Sequence, residues 1–171
     1  MMGKQHLFFG ITTGVATSFA LGTMGLNIDT TEGFVFIGLT VLGSLLPDID
    51  NPGTTLGKRV RPLSDFLYKT IGHRTYTHDL FLMIILCFVS LRYFHNYIGL
   101  YGLWLGIFGH LFLDSFTANG IPFFRIINKR NIHLLPYKLR IYSSSGAAKI
   151  ITVICSVIYI YGGKYLLTFL K

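Results

Sequence analysis

The sequence predicts an all-α integral membrane protein, a bundle of four to five transmembrane helices with a short interfacial helix in its second cytoplasmic segment. Three observations predict it. The chain of 171 residues is 51% hydrophobic and only 13% charged, where a soluble domain carries about 25% charged residues. Its mean hydropathy is +0.56. The apolar residues are gathered into five runs separated by polar, basic stretches. The length suits one domain, taken as 1–171.

The first run is Leu7 to Leu26. Lys4 precedes it, as in a signal peptide, but it is long for such a segment and no small-x-small cleavage site closes it. The second, Gly33 to Leu46, falls short of the roughly 17–25 residues that a spanning helix needs, and local bilayer thinning is one way to accommodate it. The third runs from Leu80 to about Ile98, the fourth from about Leu100 to Phe116, and the fifth from about Ala147 to Leu170. Only Gly99 and its neighbours separate the third and fourth, which predicts a tight helical hairpin. Gly10/Gly14 and Gly102/Gly106 are spaced as GxxxG, the pattern of close helix packing. Cys87 and Cys155 lie inside apolar runs, without metal-type spacing, and read as small packing residues.

The basic residues set the expected orientation. Segment 47–79 holds Lys58, Arg59, Arg61, Lys69 and Arg74, and segment 119–149 holds Arg125, Lys129, Arg130, Lys138, Arg140 and Lys149. The turn at 27–32 holds no Lys or Arg, only Asp29 and Glu32. The positive-inside rule then places the N-terminus and both basic segments in the cytoplasm. The C-terminus is left outside, with Lys171 a mild dissent. The net charge of +8 is read as attraction to the anionic leaflet rather than to nucleic acid. In the first basic segment Leu63, Phe66, Leu67 and Ile71 recur at helical spacing after Pro62, which predicts an amphipathic surface helix covering the site. In the second, Phe123 to Ile127 and Ile132 to Tyr142 flank a turn-like Asn128-Lys129-Arg130-Asn131, a small interfacial hairpin.

The chemistry-bearing residues fall at one level of this map. His6 opens the first helix. Asp48 and Asp50 close the second. His73 and His78 lead into the third, and His110 and Asp114 occupy the last turns of the fourth. His110 and Asp114 are four apart, so they share a helix face and can chelate one ion. His110 lies in an otherwise apolar run, where an ionisable group is costly and a functional reading is the default. Asp48 and Asp50 repel unless a cation or proton lies between them. A mixed His and Asp set suits one or two divalent ions, Zn²⁺ ahead of Mn²⁺ or Fe²⁺, and two such ions serve phosphoester displacement. Arg74 is a candidate contact for an anionic substrate, and Thr75, Thr77 and Thr117 are candidate hydrogen-bonders to the ligands. His95 sits at the opposite membrane face and His133 in a loop, and both are set aside.

Three blocks carry a resemblance: Leu46-Pro47-Asp48-Ile49-Asp50-Asn51-Pro52, His73-Arg74-Thr75-Tyr76-Thr77-His78, and His110-Leu111-Phe112-Leu113-Asp114-Ser115-Phe116-Thr117. With His6 and Gly10, they resemble, in order over roughly residues 1–125, the signature blocks of the YdjM-type, LexA-regulated membrane-bound metal-dependent hydrolases. The resemblance implies a multi-pass protein of the bacterial inner membrane and a hydrolase. The HxxxD element is more distantly similar to the ligand pattern of all-helical zinc-dependent phospholipases C and nucleases, which points the substrate toward phosphoesters. Asn51 stands where the family often has His, Thr75 where it has Gly, and Lys149 where it often has an acidic residue.

The expectation is therefore a phosphoester hydrolase of the cytoplasmic leaflet, with membrane lipids around it and a lipid or lipid-linked phosphate as substrate. His6, Asp48, Asp50, His73, His78, His110 and Asp114 hold metal, an Asp such as Asp50 acts as base, and Arg74 steadies the phosphate. The rival class is a metal- or proton-binding transporter, which predicts ionisable groups at mid-bilayer on several helices. A structural protein with a vestigial site is a third reading.

Overall fold

The computed structural model describes residues 3–25, 29–125 and 128–169. Leu26, Ile127, Leu170 and Lys171 of the expectations above lie outside these residues.

Among the described residues six α-helices follow one another: α1 (Gly3–Thr23), α2 (Thr30–Leu45), α3 (Arg61–Thr70), α4 (Leu80–Phe94), α5 (Ile98–Ser115) and α6 (Gly146–Phe169). The start of α2 is fixed locally. Asp29 accepts from the Glu32 amide at 2.7 Å and Glu32 accepts from the Asp29 amide at 3.2 Å, a reciprocal capping box. Its end is set by Pro47, after which the chain tightens into a 3₁₀ turn over Leu46–Asp50. α3 carries Pro62 in its first turn, where a proline's missing N–H costs nothing. It is the amphipathic helix expected there, with Leu63 and Phe66 exposed, and it packs against the Leu46–Asp50 turn.

Among the described residues, three segments are long and apolar enough to cross a membrane: Thr30–Asp50, Ile98–Ser115 and Gly146–Tyr165. The second apolar run reaches spanning length because α2 starts earlier than its apolar residues and continues into the 3₁₀ turn. α4, at 15 residues, is short of it, and α1 is long enough but less apolar. Length and composition therefore single out three spans among the described residues, and leave α1 and α4 of the four to five expected helices outside that criterion.

The fold also corrects the all-α expectation. β1 (Ile121–Phe124) pairs antiparallel with β2 (Asn128–Ile132), Ile121 opposite Ile132. Asn128 to Asn131 is thus strand rather than turn, and the hairpin turns earlier, around residue 125.

Packing explains the glycine spacing. α2 makes its most extensive contact with α5. A Cβ on Gly43 would strike the Leu103 carbonyl, and one on Gly106 the Thr40 carbonyl. Gly10 and Gly14 of α1 abut Ser44 and Thr40 on another side of α2. Both GxxxG pairs therefore seat on α2. α6 runs along α1, tied by a hydrogen bond between Thr17 and Tyr159 at 2.7 Å. α4 is different: none of its residues is buried.

Candidate metal centre

The up-and-down course of α1, α2, α4 and α5 brings the start of α1, the end of α2, the approach to α4 and the end of α5 to one end of the bundle. His6, Asp48, Asp50, His78, His110 and Asp114 meet there, all buried. His73 is about a quarter exposed at their edge, its side chain at 27%. All seven expected ligands are thus in one cluster, but in two layers.

The inner layer holds His6, Asp48, His78, His110 and Asp114. His78 Nε2 is 3.6 Å from Asp48 Oδ1 and 3.8 Å from Asp114 Oδ2. His110 Nε2 is 3.7 Å from Asp48 Oδ1 and 3.8 Å from Asp114 Oδ2. His6 Nε2 is 3.4 Å from Asp114 Oδ1, and its ring stacks on His110 with centroids 3.6 Å apart. These residues form two overlapping triads, His6–Asp48–His110 and His78–His110–Asp114, sharing His110. The separations are close to the roughly 3.4 Å edge of a tetrahedron of ligands 2.0–2.1 Å from an ion.

The outer layer orients the inner one. His110 Nδ1 donates to the Ser44 carbonyl at 2.7 Å, so its Nε2 carries the lone pair. Thr77 Oγ1 donates to Asp50, and His78 Nδ1 in turn donates to Thr77 Oγ1 at 3.0 Å. The lone pair of His78 is therefore also on Nε2. Asp50 is the anchor: its carboxylate accepts from His73 Nδ1 at 2.7 Å, from the Arg74 amide at 3.0 Å and from Thr77. A ligand whose other ring nitrogen is fixed in this way keeps its tautomer and aim. The expected ligands Asp50 and His73 thus stand as a hydrogen-bonded pair beside the inner five. Of the three threonines, Thr77 alone serves the ligands through its side chain. Thr75 bonds the Ile71 carbonyl and Thr117 the Asp114 carbonyl.

Arg74 is also committed. Its guanidinium donates to Asp114 and to the Gly120 carbonyl. Its backbone adopts φ 58°, a left-handed conformation rare outside glycine and held by that surrounding structure. Burial pulls its pKa below the usual value, opposed by Asp48 and Asp50.

Two observations show that the residues fit a cation. The lone-pair nitrogens of His78 and His110 face each other at 3.3 Å, an arrangement that repels unless something positive lies between them. Both ring nitrogens of His6 are buried without a hydrogen-bond partner, a cost that coordination would remove.

Two residues outside the sequence expectation complete the site. Ser44 supplies the carbonyl that sets His110. Asp79 caps α4 through the Leu82 amide at 3.0 Å and accepts from the Arg125 amide, linking the hairpin to the site. The S/D-x-x cap pattern at Asp79 was readable from the sequence, whereas a backbone carbonyl leaves no such mark.

Two spaces open beside the cluster. A polar cavity of about 750 Å³ is lined by Asp48, His73 and Arg74 together with Lys4, Lys58 and Arg59. An apolar crevice of about 240 Å³ lies on the other side of the Leu46–Asp50 turn, between Met83 and Leu86 of α4 and Leu103, Trp104 and Ile107 of α5.

Fold and site together define an apolar helical membrane protein with a buried, one-ended His/Asp cluster. The chain belongs to the YdjM inner membrane protein family, whose model matches residues 1–168. It is 31% identical over 121 residues to YvsG of Bacillus subtilis (strain 168), called an uncharacterized protein, covering 71% of each chain. It is 31% identical over 127 residues to the inner membrane protein YdjM of Escherichia coli (strain K12), and equally to that of Shigella flexneri; these matches cover 71% of this chain and 64% of the relatives' length. No solved structure matches.

Proposed function

We propose that this membrane protein is a metal-dependent hydrolase that cleaves a phosphoester of a lipid or lipid-linked substrate at the cytoplasmic face of the bacterial inner membrane. The observation that carries the reading is the pair of opposed lone-pair nitrogens on His78 and His110 beside two buried carboxylates. His6, Asp48, His78, His110 and Asp114 would hold one or two divalent ions, Zn²⁺ ahead of Mn²⁺ or Fe²⁺ by donor type. An ion bound there supplies Lewis acidity toward a phosphoryl oxygen and makes water acidic enough to attack at neutral pH.

The chain's own residues do the rest. Asp50 holds His73 with its Nδ1 proton inward, which leaves His73 Nε2 as the nitrogen able to take a proton from attacking water. Asp50 then serves as base through His73. Arg74 fixes Asp114 and adds positive charge beside the reacting phosphate. The apolar crevice adjoins the same turn as Asp48, which supports an amphiphilic substrate whose chain lies along α4. The basic loops support the cytoplasmic orientation, and α1 and α4 would complete a bundle of four to five membrane helices around the three long spans.

The transporter reading predicts ionisable groups at mid-bilayer. Among the described residues, the buried groups along the helices away from the cluster are hydroxyls, such as Thr13, Thr40 and Ser156. The test is phosphate or headgroup release by purified protein with and without chelator. Release abolished by chelator and by His78→Ala is the expected result. Absence of turnover on every phosphoester offered, with metal bound, overturns the reading.

A further inference from the structure

The function proposed above leaves three cations of the polar cavity without a role. Lys4 comes from the first turn of α1, and Lys58 and Arg59 from the loop before α3. All three are exposed and line the cavity that reaches Asp48 and His73. Among the described residues none of them has a carboxylate partner, whereas Arg61, just outside the cavity, is paired with Asp65 at 3.7 Å. Arg74 has no such freedom, since its guanidinium is taken up by Asp114 and the Gly120 carbonyl. Among the residues lining the cavity, Asp48 is the one acid, and the remainder offer neutral donors, among them Asn51, Thr55 and Asn119. A concave space with charge of one sign attracts and holds the opposite sign. Ordinary positive-inside residues account for cations on a cytoplasmic loop, but not for three, from two separate segments, around one cavity that opens on a buried cluster.

We propose that Lys4, Lys58 and Arg59 form an anion subsite, which binds a phosphate-bearing group with two or more negative charges next to the metal cluster. The substrate class is thereby narrowed to phosphomonoesters and diphosphates, as against singly charged phosphodiesters. The proposal rests on the hydrolase reading only for the statement that this anion belongs to a substrate.

The test uses the metal-loaded full chain in detergent or nanodiscs, with inorganic pyrophosphate as soluble probe followed by calorimetry. Phosphatidylcholine vesicles with and without phosphatidic acid serve as the lipid probe. The variants are Lys58→Gln/Arg59→Gln, Lys4→Gln and, as a charge control outside the cavity, Lys149→Gln. Charge-assisted hydrogen bonds of this kind support a fall of about tenfold or more in pyrophosphate affinity for the double variant. Lys4→Gln gives a smaller fall and Lys149→Gln none, with metal content unchanged in all three. Binding of pyrophosphate identifies a soluble anion as sufficient. Preference for phosphatidic acid vesicles alone, lost in the double variant, identifies a lipid headgroup, and both results support the subsite. An equal loss in Lys149→Gln, no loss in the double variant, or no binding of either probe by the unaltered protein overturns it. Retained anion binding without hydrolysis of any phosphoester removes the hydrolase reading and leaves the subsite standing.

Discussion

α5 and α4 are joined by a few residues and are both apolar, yet they are held in opposite ways. α5 is wedged against α2 so closely that Gly102 and Gly106 meet backbone atoms, and its His110, Asp114 and Trp104 are buried. α4 has no buried residue. It is held to α5 by side chains partly buried at its inner edge, and by the hydrogen bond from Trp104 Nε1 to Ser90 Oγ at 2.8 Å. The His/Asp cluster straddles the two. His110, Asp114 and Asp48 belong to the fixed half, and His78 enters from the turn that begins α4. A site divided in this way has most of its geometry set on the tightly packed helices, which is what positioning on rigid elements provides.

The comparison can be broken most forcefully at its tight side. Gly106→Leu places a side chain against the backbone of α2, which cannot yield as a side chain would. We expect destabilisation beyond the ~3 kcal/mol of ordinary overpacking, seen as loss of the monodisperse peak in detergent chromatography. Asp114→Ala comes next. It removes a proposed ligand and leaves the partly buried Arg74 guanidinium without its carboxylate, a loss of about 3 kcal/mol at most, measured as a lowered thermal midpoint together with loss of metal in elemental analysis. His78→Ala should lose metal while lowering the midpoint less, because its half of the site is the less packed one; an equal fall in midpoint would show the two halves to be one unit. Trp104→Phe has the smallest effect. It keeps the ring and removes one hydrogen bond, about 1 kcal/mol, and should raise amide exchange in α4 more than in α2.

The sequence carried the helices and the location of the site because both depend on local chemistry. The apolar runs mark the helices, Pro47 and Pro62 mark their boundaries, and His and Asp at helix ends are costly enough to signal a purpose. The division of the seven expected ligands into two layers was not legible. Asp48 and Asp50 are two residues apart in one 3₁₀ turn, and which faces the cluster depends on where His73, Arg74 and Thr77 fall in space. The strand at Asn128–Ile132 was hidden for another reason. Its residues around Arg130 and Asn131 are exposed, so no apolar alternation records the pairing. Composition shows that a run is apolar, not how many turns of helix it forms, so the 15-residue α4 could not be told from a long span in the sequence.

The turn Leu46–Asp50 has one more consequence. Leu46, Pro47 and Ile49 border the apolar crevice, while Asp48 and the following Asn51 border the polar cavity. The chain thus changes solvent within a single residue step, at a place fixed by α2 and α5. Under the hydrolase reading proposed above, such a boundary would work as a depth gauge. A substrate lying across it would have its own oil–water junction held level with Asp48, so that selection would fall on the height of a bond above the hydrocarbon rather than on the identity of the groups on either side.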